Sequence, residues 1–145
     1  MDLKFLIPIA FLVILAIFYF SDKSETKHAK VTVGNEEINA EIADNPLKQM
    51  KGLMFRKFLP EDDGMIFIFS KEDYYGFWMM NTSIHLDIIW INSDMEIVHI
   101  EKNVQPCGIL CPVYKSKEKA RYVLEVNAGF VEKNKVEAGH FVEIK

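Results

Sequence analysis

A small set of polar and aromatic residues lies within or directly beside apolar segments, where a polar side chain without a partner is costly. The set consists of Arg56, Trp78, Asn81, Thr82, Asp87 and Glu125. Asp87 and Glu125 each interrupt a run of aliphatic residues. A buried carboxylate needs a partner, and the planar guanidinium of Arg56 suits a carboxylate well. We therefore expect Arg56 to pair with Asp87 or Glu125.

Two interpretations of this set are open. One is a structural polar network that fixes the fold. The other is a ligand-binding pocket in which Trp78 forms an aromatic wall and the carboxylates hold a saccharide or another small polar molecule. Asp87 and Glu125 could also act as acid and base on an envelope glycan, provided that both face one cleft within about 10 Å. No motif requires catalysis, so the catalytic residues are unknown and we favour a binding module over an enzyme.

Cys107 and Cys111 are the two cysteines of the chain, and three residues separate them. In an oxidising compartment, a pair at this spacing is typical of a disulfide bond that stiffens a loop. Half of a metal site, a redox pair and two free thiols are the alternatives. Redox motifs usually have two intervening residues and lie at the start of a helix. We predict a disulfide, no metal and no cofactor.

The elements that must position these residues are mostly short strands. Apolar or alternating runs lie at residues 30–33, 38–42, 65–69, 77–80, 86–91, 95–100, 122–126 and 141–144. Asn45 and Pro46 are typical of a helix start, and Gly52 of its end. A second short helix is predicted within residues 128–135, and a long loop over 103–120. The pattern predicts an α+β fold, mainly β, with a partly closed barrel-like sheet and one or two short helices.

The first 20 residues are strongly apolar, with an uninterrupted run from Phe5 to Phe20. A helix over Leu3 to Phe20 would rise about 27 Å, close to the roughly 30 Å of a bilayer core. The run ends in bulky residues, whereas signal peptidases require small ones. We predict an uncleaved membrane anchor over residues 1–20, a linker over 21–29 and a folded domain over 30–145.

The orientation of the domain is a separate question. Lys23, Lys27 and Lys30 follow the apolar run while Lys4 precedes it, which favours a cytoplasmic domain by the positive-inside rule. The paired cysteines favour the extracytoplasmic side, and we predict that side. The formal charge of -4 and pI of about 5.6 argue against a nucleic-acid-binding protein.

Several sequence blocks, in matching order and spacing, resemble the DUF192 family, also called UPF0127. These blocks are residues 52–56, 64–67, 77–82, 86–88, 107–114 and 123–129. One departure is His85, where the family more often has proline. The resemblance implies a small β-rich domain, often behind a signal peptide or a membrane anchor, and it supplies no catalytic residues.

These observations together predict a membrane-anchored extracytoplasmic domain that binds a small ligand or a saccharide. The alternative is a structural protein of the cell envelope that contacts a protein partner through exposed aromatic residues, for which Tyr74, Tyr75 and Phe77 are the candidates. The oligomeric state is left undetermined.

Overall fold

The computed structural model describes residues 26–145, and this part of the chain begins with an antiparallel hairpin of strands β1 (His28–Val33) and β2 (Glu36–Ala43). Helix α1 (Pro46–Lys51) follows directly. Asn45 caps this helix, because its side-chain oxygen accepts a hydrogen bond of 3.0 Å from the backbone N–H of Lys48. The helix ends at Gly52, which has a positive φ of 47°. The short helix therefore forms where the capping residues predicted it.

The remaining elements are mostly strands. They are β3 (Asp63–Asp73), β4 (Gly76–Phe77), β5 (Leu86–Ile91), β6 (Ile97–Val104), β7 (Tyr114–Lys115), β8 (Ala120–Asn127), helix α2 (Phe130–Lys133) and β9 (Val142–Ile144). The main sheet has the order β6-β5-β8-β3-β2-β1-β9, and β4 pairs with β7 in a separate small sheet. Strands β2 and β3 are parallel, and α1 lies in the connection between them. The other pairs are antiparallel.

The main sheet curls so that its two ends approach each other. Glu96, just before β6, forms an isolated bridge with Phe141, just before β9. The backbone N–H of Ile97 also donates to the carbonyl of His140 at 2.8 Å. The result is a half-barrel, which agrees with the predicted mainly β fold with few short helices.

The two faces of the sheet pack against different sets of side chains. One cluster includes Val31, Ile89 and Val142 and joins strands from both ends of the sheet, so it fills the inside of the curl. The other cluster includes Phe67, Ile88 and Trp90 and lies on the opposite face, with the loops after α1 and around β4 packed against it. Strand β5 is buried on both faces along its whole length.

The structure departs from the predicted elements mainly in the long loop over residues 103–120. That segment contains β7, which pairs with β4. The local sequence around β7 does not indicate this pairing. The predicted helix over 128–135 is shorter, at Phe130–Lys133. Among the described residues, neither helix is long and apolar enough to cross a membrane. The predicted anchor over residues 1–20 lies outside the described residues.

Candidate functional site

Glu125 lies in the middle of β8 with its side chain on the outer face of the sheet. Its direct neighbours are Met65 on β3 and Ile88 on β5. The residue is only 4% exposed, and among the described residues its Oε2 atom has no hydrogen-bond partner. Burial raises the pKa of the Glu125 carboxyl to about 8. At neutral pH this side chain is therefore mostly protonated and can donate a hydrogen bond.

A cavity of about 130 Å³ lies beside this carboxyl, and we call it the Glu125 pocket. Its lining combines the segment after β2 with the strands and the loop that face it: Gln49, Met50, Lys51, Gly52, Leu53, Met54, Phe67, Phe69, Gly76, Phe77, Trp78, Thr82 and Glu125. Gly52 faces the carboxyl, since a Cβ added there would lie 3.9 Å from Glu125 Oε2 and 3.4 Å from the Phe67 ring. The missing side chain of Gly52 thus leaves room next to the carboxyl.

Aromatic residues form the floor and mouth of the Glu125 pocket. The rings of Phe67 and Phe77 meet edge to face with centroids 4.8 Å apart. Trp78 is 46% exposed and lies at the opening. The side chain of Gln49 holds α1 over the sheet by donating to the carbonyls of Ala43 and Ile68, at 3.3 Å and 2.9 Å. An apolar wall, an exposed aromatic ring and a buried acid therefore converge on one space.

Three loops are joined at the mouth of the pocket through Asn81. The Asn81 carbonyl accepts from the backbone N–H of Phe55 at 2.7 Å, and the Asn81 N–H donates to the carbonyl of Cys107 at 3.1 Å. Cys107 is bonded to Cys111 in the predicted disulfide. Asn81 has a positive φ of 56°, a conformation that asparagine tolerates better than most residues. Asn81 thus supports the site through its backbone and does not line it.

Asp87 occupies a different place. Its Oδ1 accepts from the backbone N–H of Asn103 at 2.8 Å, and its Oδ2 accepts from those of Gly129 and Val131 at 3.1 Å and 2.9 Å. These bonds tie β5 to β6 and to the start of α2. Its partner on β8 is Val126, so Asp87 faces the inside of the curl. The carboxylate is satisfied by backbone donors and has a structural role.

Two expectations from the sequence are therefore wrong. Arg56 pairs with Glu41, at 2.5 Å between Nη2 and Oε2, rather than with Asp87 or Glu125, because the loop after α1 carries it towards β2. Asp87 and Glu125 do not share a cleft, since their cross-strand partners place them on opposite faces of the sheet. The acid-and-base arrangement suggested for these carboxylates is not present.

The exposed aromatic residues also differ from expectation. Tyr74 is exposed, but Phe77 is buried in the floor of the pocket. Tyr75 is half-buried, stacks on Phe69 and donates its hydroxyl hydrogen to the carbonyl of Lys71 at 2.9 Å. Phe77 is therefore not available as a surface for a protein partner, and Tyr75 exposes only part of its side chain.

Of the six predicted site residues, the structure brings Trp78, Thr82 and Glu125 together in the pocket. Gly52, Phe67 and Gln49 also line the pocket and were not predicted as site residues. Gly52 was predicted as a helix end and Phe67 as part of an apolar strand, and both lie in blocks that resemble the family, but none of these observations indicated a pocket. Gln49 is a polar residue on a short helix, and nothing in the local sequence indicated that it lines a pocket.

Comparisons with known proteins agree with the resemblance noted in the sequence. The model of the DUF192 family, described as "Uncharacterized ACR", matches residues 29–144. The UPF0127 protein PF1050 of Pyrococcus furiosus is 32% identical over 123 residues, which cover 78% of this chain and 93% of that protein.

Two crystal structures share the fold. A protein of unknown function from Novosphingobium aromaticivorans has a TM-score of 0.74 and 32% identity, covering 81% of this chain and 84% of that one. A protein from Sinorhizobium meliloti, described as a proposed transcription regulator, has a TM-score of 0.73 and 32% identity, covering 81% of this chain and 92% of that one.

Proposed function

The chain belongs to the DUF192 family of uncharacterised proteins, and from this premise we propose that its domain binds a small polar molecule in the Glu125 pocket. One observation carries the proposal: a buried carboxyl whose Oε2 has no partner among the described residues lies against an open cavity. A buried polar atom without a partner is costly. A ligand that supplies the missing hydrogen bond would remove that cost.

The chemistry of the pocket defines the class of ligand. The raised pKa of Glu125 makes the side chain a hydrogen-bond donor at neutral pH, so the ligand offers a neutral acceptor such as a hydroxyl, ether or carbonyl oxygen. A carboxylate or phosphate ligand is disfavoured, because burying its negative charge among apolar side chains is costly. The rings of Phe67 and Phe77 favour an apolar group beside that acceptor.

The size of the pocket limits how much of the ligand is enclosed. A cavity of about 150 Å³ holds a benzene-sized molecule, and the Glu125 pocket is slightly smaller at about 130 Å³. A saccharide fits this description if one hydroxyl reaches Glu125 while the C–H face of the sugar ring packs on Trp78 at the mouth. A small amide or alcohol would fit completely.

We further propose that the domain is anchored in a membrane by Leu3 to Phe20 and lies on the extracytoplasmic side. The apolar run supports the anchor, and the Cys107–Cys111 disulfide supports the oxidising side. The Sinorhizobium meliloti protein is described as a proposed transcription regulator, and the formal charge of -4 argues against nucleic-acid binding by this chain.

Ligand-detected NMR on the full-length protein in detergent tests the binding proposal. The probes are a set of monosaccharides together with acetamide and small alcohols, and the variants are Glu125→Gln and Glu125→Leu. We expect saturation transfer to a probe with the wild type and with Glu125→Gln, which still donates a hydrogen bond, and loss of transfer with Glu125→Leu. The exposed Glu143→Gln variant is the control.

A signal that persists in Glu125→Leu would place the contact elsewhere and contradict the proposal. The absence of transfer to any probe with the wild type would contradict the ligand class. Retention of the signal in Glu125→Gln matters because it separates a hydrogen-bond donor from a negatively charged anchor.

A further inference from the structure

One end of the domain exposes large apolar side chains around the mouth of the Glu125 pocket. We call this surface the apolar end and define it by Leu47, Met50, Phe55, Trp78, Ile109 and Leu110. Leu47 and Met50 lie one turn apart on α1, and Met50 and Trp78 both line the pocket. Ile109 and Leu110 are 87% and 96% exposed at the tip of the disulfide loop.

The segments of the apolar end are held in one surface by backbone hydrogen bonds. Asn81, which follows the Trp78 segment, bonds to Phe55 on one side and to Cys107 on the other. The disulfide fixes the loop that carries Ile109 and Leu110. The apolar groups are thus presented together by fixed loops, as in surfaces that contact a partner or a membrane.

Two residues of the apolar end are unfavourable for folding. Phe55 and Leu110 have positive φ angles of 66° and 58°, a conformation that suits glycine or asparagine and is strained for a bulky side chain. Both side chains are largely exposed, so they gain little from packing within the domain. Burial of these two side chains against a surface outside the domain would compensate the cost of their backbone conformation.

The chain enters the domain at this end. His28 pairs with Glu41, and Glu41 also binds Arg56, the neighbour of Phe55. The backbone N–H of Ile42 donates to the carbonyl of Lys27 at 2.8 Å. Between Phe20 and His28 the chain has residues 21–27, which span at most about 25 Å. This length sets an upper limit on the distance between the end of the apolar run and the start of β1.

We propose that the apolar end rests on the lipid bilayer that holds Leu3 to Phe20. The inference relies on the membrane anchor proposed above and is independent of the ligand. The exposed Lys27, Lys51 and Lys57 lie on the same segments, and their charge complements anionic lipid headgroups. In this arrangement the mouth of the Glu125 pocket opens at the membrane surface, and a ligand enters from there.

Tryptophan quenching by brominated lipids tests this contact on the full-length protein. The chain has two tryptophans, of which Trp78 is at the apolar end and Trp90 is fully buried. The protein is reconstituted into vesicles of phosphatidylcholine and phosphatidylglycerol, with or without bromine on the acyl chains. We expect bromine to quench most of the Trp78 emission, and to leave the emission of a Trp78→Phe variant, which reports only Trp90, nearly unchanged.

The variants Phe55→Asn and Leu110→Asn probe the contact without disturbing the fold. Asparagine tolerates the positive φ of both positions, so the melting temperature should be equal to or higher than that of the wild type. Loss of the apolar side chains should weaken the quenching of Trp78. A stable variant with weakened quenching supports the contact and cannot be explained by unfolding.

Flotation of the vesicles separates the two ways in which the proposal fails. Protein that floats with the vesicles but shows no quenching of Trp78, or quenching that both asparagine variants retain in full, overturns the surface contact and leaves the anchor intact. Protein that does not float overturns the anchor and the contact with it.

Discussion

Glu125 and Asp87 are both buried carboxyl groups on neighbouring strands, yet their surroundings give them opposite roles. Asp87 accepts three hydrogen bonds from backbone N–H groups, and these compensate its burial. The Oε2 of Glu125 meets no donor among the described residues and faces a cavity. The first residue is therefore part of the fold, and the second is the residue on which the proposed ligand binding depends.

The buried Glu125 should make stability depend on pH. The pKa of its carboxyl is raised from 4.5 to about 8 on folding, so the folded state binds more protons than the unfolded state between these values. The contribution of the Glu125 carboxyl to stability is then fully present below about pH 4.5, and it is lost as the pH rises towards 8. We expect Glu125→Gln, which stays neutral, to gain about 3–5 kcal/mol over the wild type across this range.

Urea unfolding of both proteins at several pH values between 4 and 9 measures this difference. Glu143→Gln, which removes an exposed carboxylate, should show no comparable pH-dependent gain. A constant difference between Glu125→Gln and the wild type at all pH values would contradict a protonated Glu125 in the folded protein.

Asp87 acts at the scale of secondary-structure elements, because it joins β5 to β6 and to α2. Asparagine at this position keeps one acceptor oxygen, and its NH₂ group faces backbone donors. We expect Asp87→Asn to lower the free energy of unfolding by about 3 kcal/mol or more. Urea unfolding measures the loss, and Asp94→Asn in the exposed turn before β6 is the matched control.

Hydrogen exchange gives a second measurement of the Asp87→Asn variant. The amides of Asn103, Gly129 and Val131 should exchange faster than in the wild type, since these are the donors to Asp87. An unfolding free energy within about 1 kcal/mol of the wild type would show that these bonds contribute little to the fold.

Elements were easier to predict from the sequence than the site. Asn45, Pro46 and Gly52 gave α1 correctly, because caps are local signals. The apolar run at residues 86–91 predicted β5 with the bounds that the structure shows. Strand β7 was missed because only its pairing with β4 defines it, and that pairing depends on residues distant in sequence.

The site itself depends on the register between strands. Asp87 and Glu125 both interrupt apolar runs, which suggested a shared site, but the pairing of Glu125 with Ile88 places Asp87 on the other face. Glu41 was not predicted as the partner of Arg56, because it is one of several polar residues that alternate with apolar ones along β2. Trp78, Thr82 and Glu125, each unusual in its local sequence, line the same cavity.

At the scale of the whole molecule, the Glu125 pocket, the apolar end and the entry of the chain all lie together. Met50 and Trp78 belong both to the pocket and to the apolar end. The linker reaches β1 next to the strand that leads into α1. A domain anchored by Leu3 to Phe20 would therefore hold its pocket next to the bilayer, which restricts the ligands that can reach it to those present at that surface.

The compartment in which the domain lies can be tested through its two cysteines, which are joined in the disulfide. On the extracytoplasmic side the bond persists, because cytosolic reductants do not reach it. We expect intact cells to show no labelling with a membrane-impermeant maleimide, and strong labelling after treatment with a membrane-impermeant reductant. A variant with serine at both Cys107 and Cys111 gives the background signal.

A cytoplasmic domain, which the lysines after the apolar run would favour, predicts the opposite pattern. The thiols would then react only after lysis, and they would do so without reduction. That result would remove the extracytoplasmic location and the disulfide in the cell together. The lipid contact of the apolar end would still stand, since its chemistry is the same on either side, but the ligands available to the Glu125 pocket would be those of the cytoplasmic membrane surface.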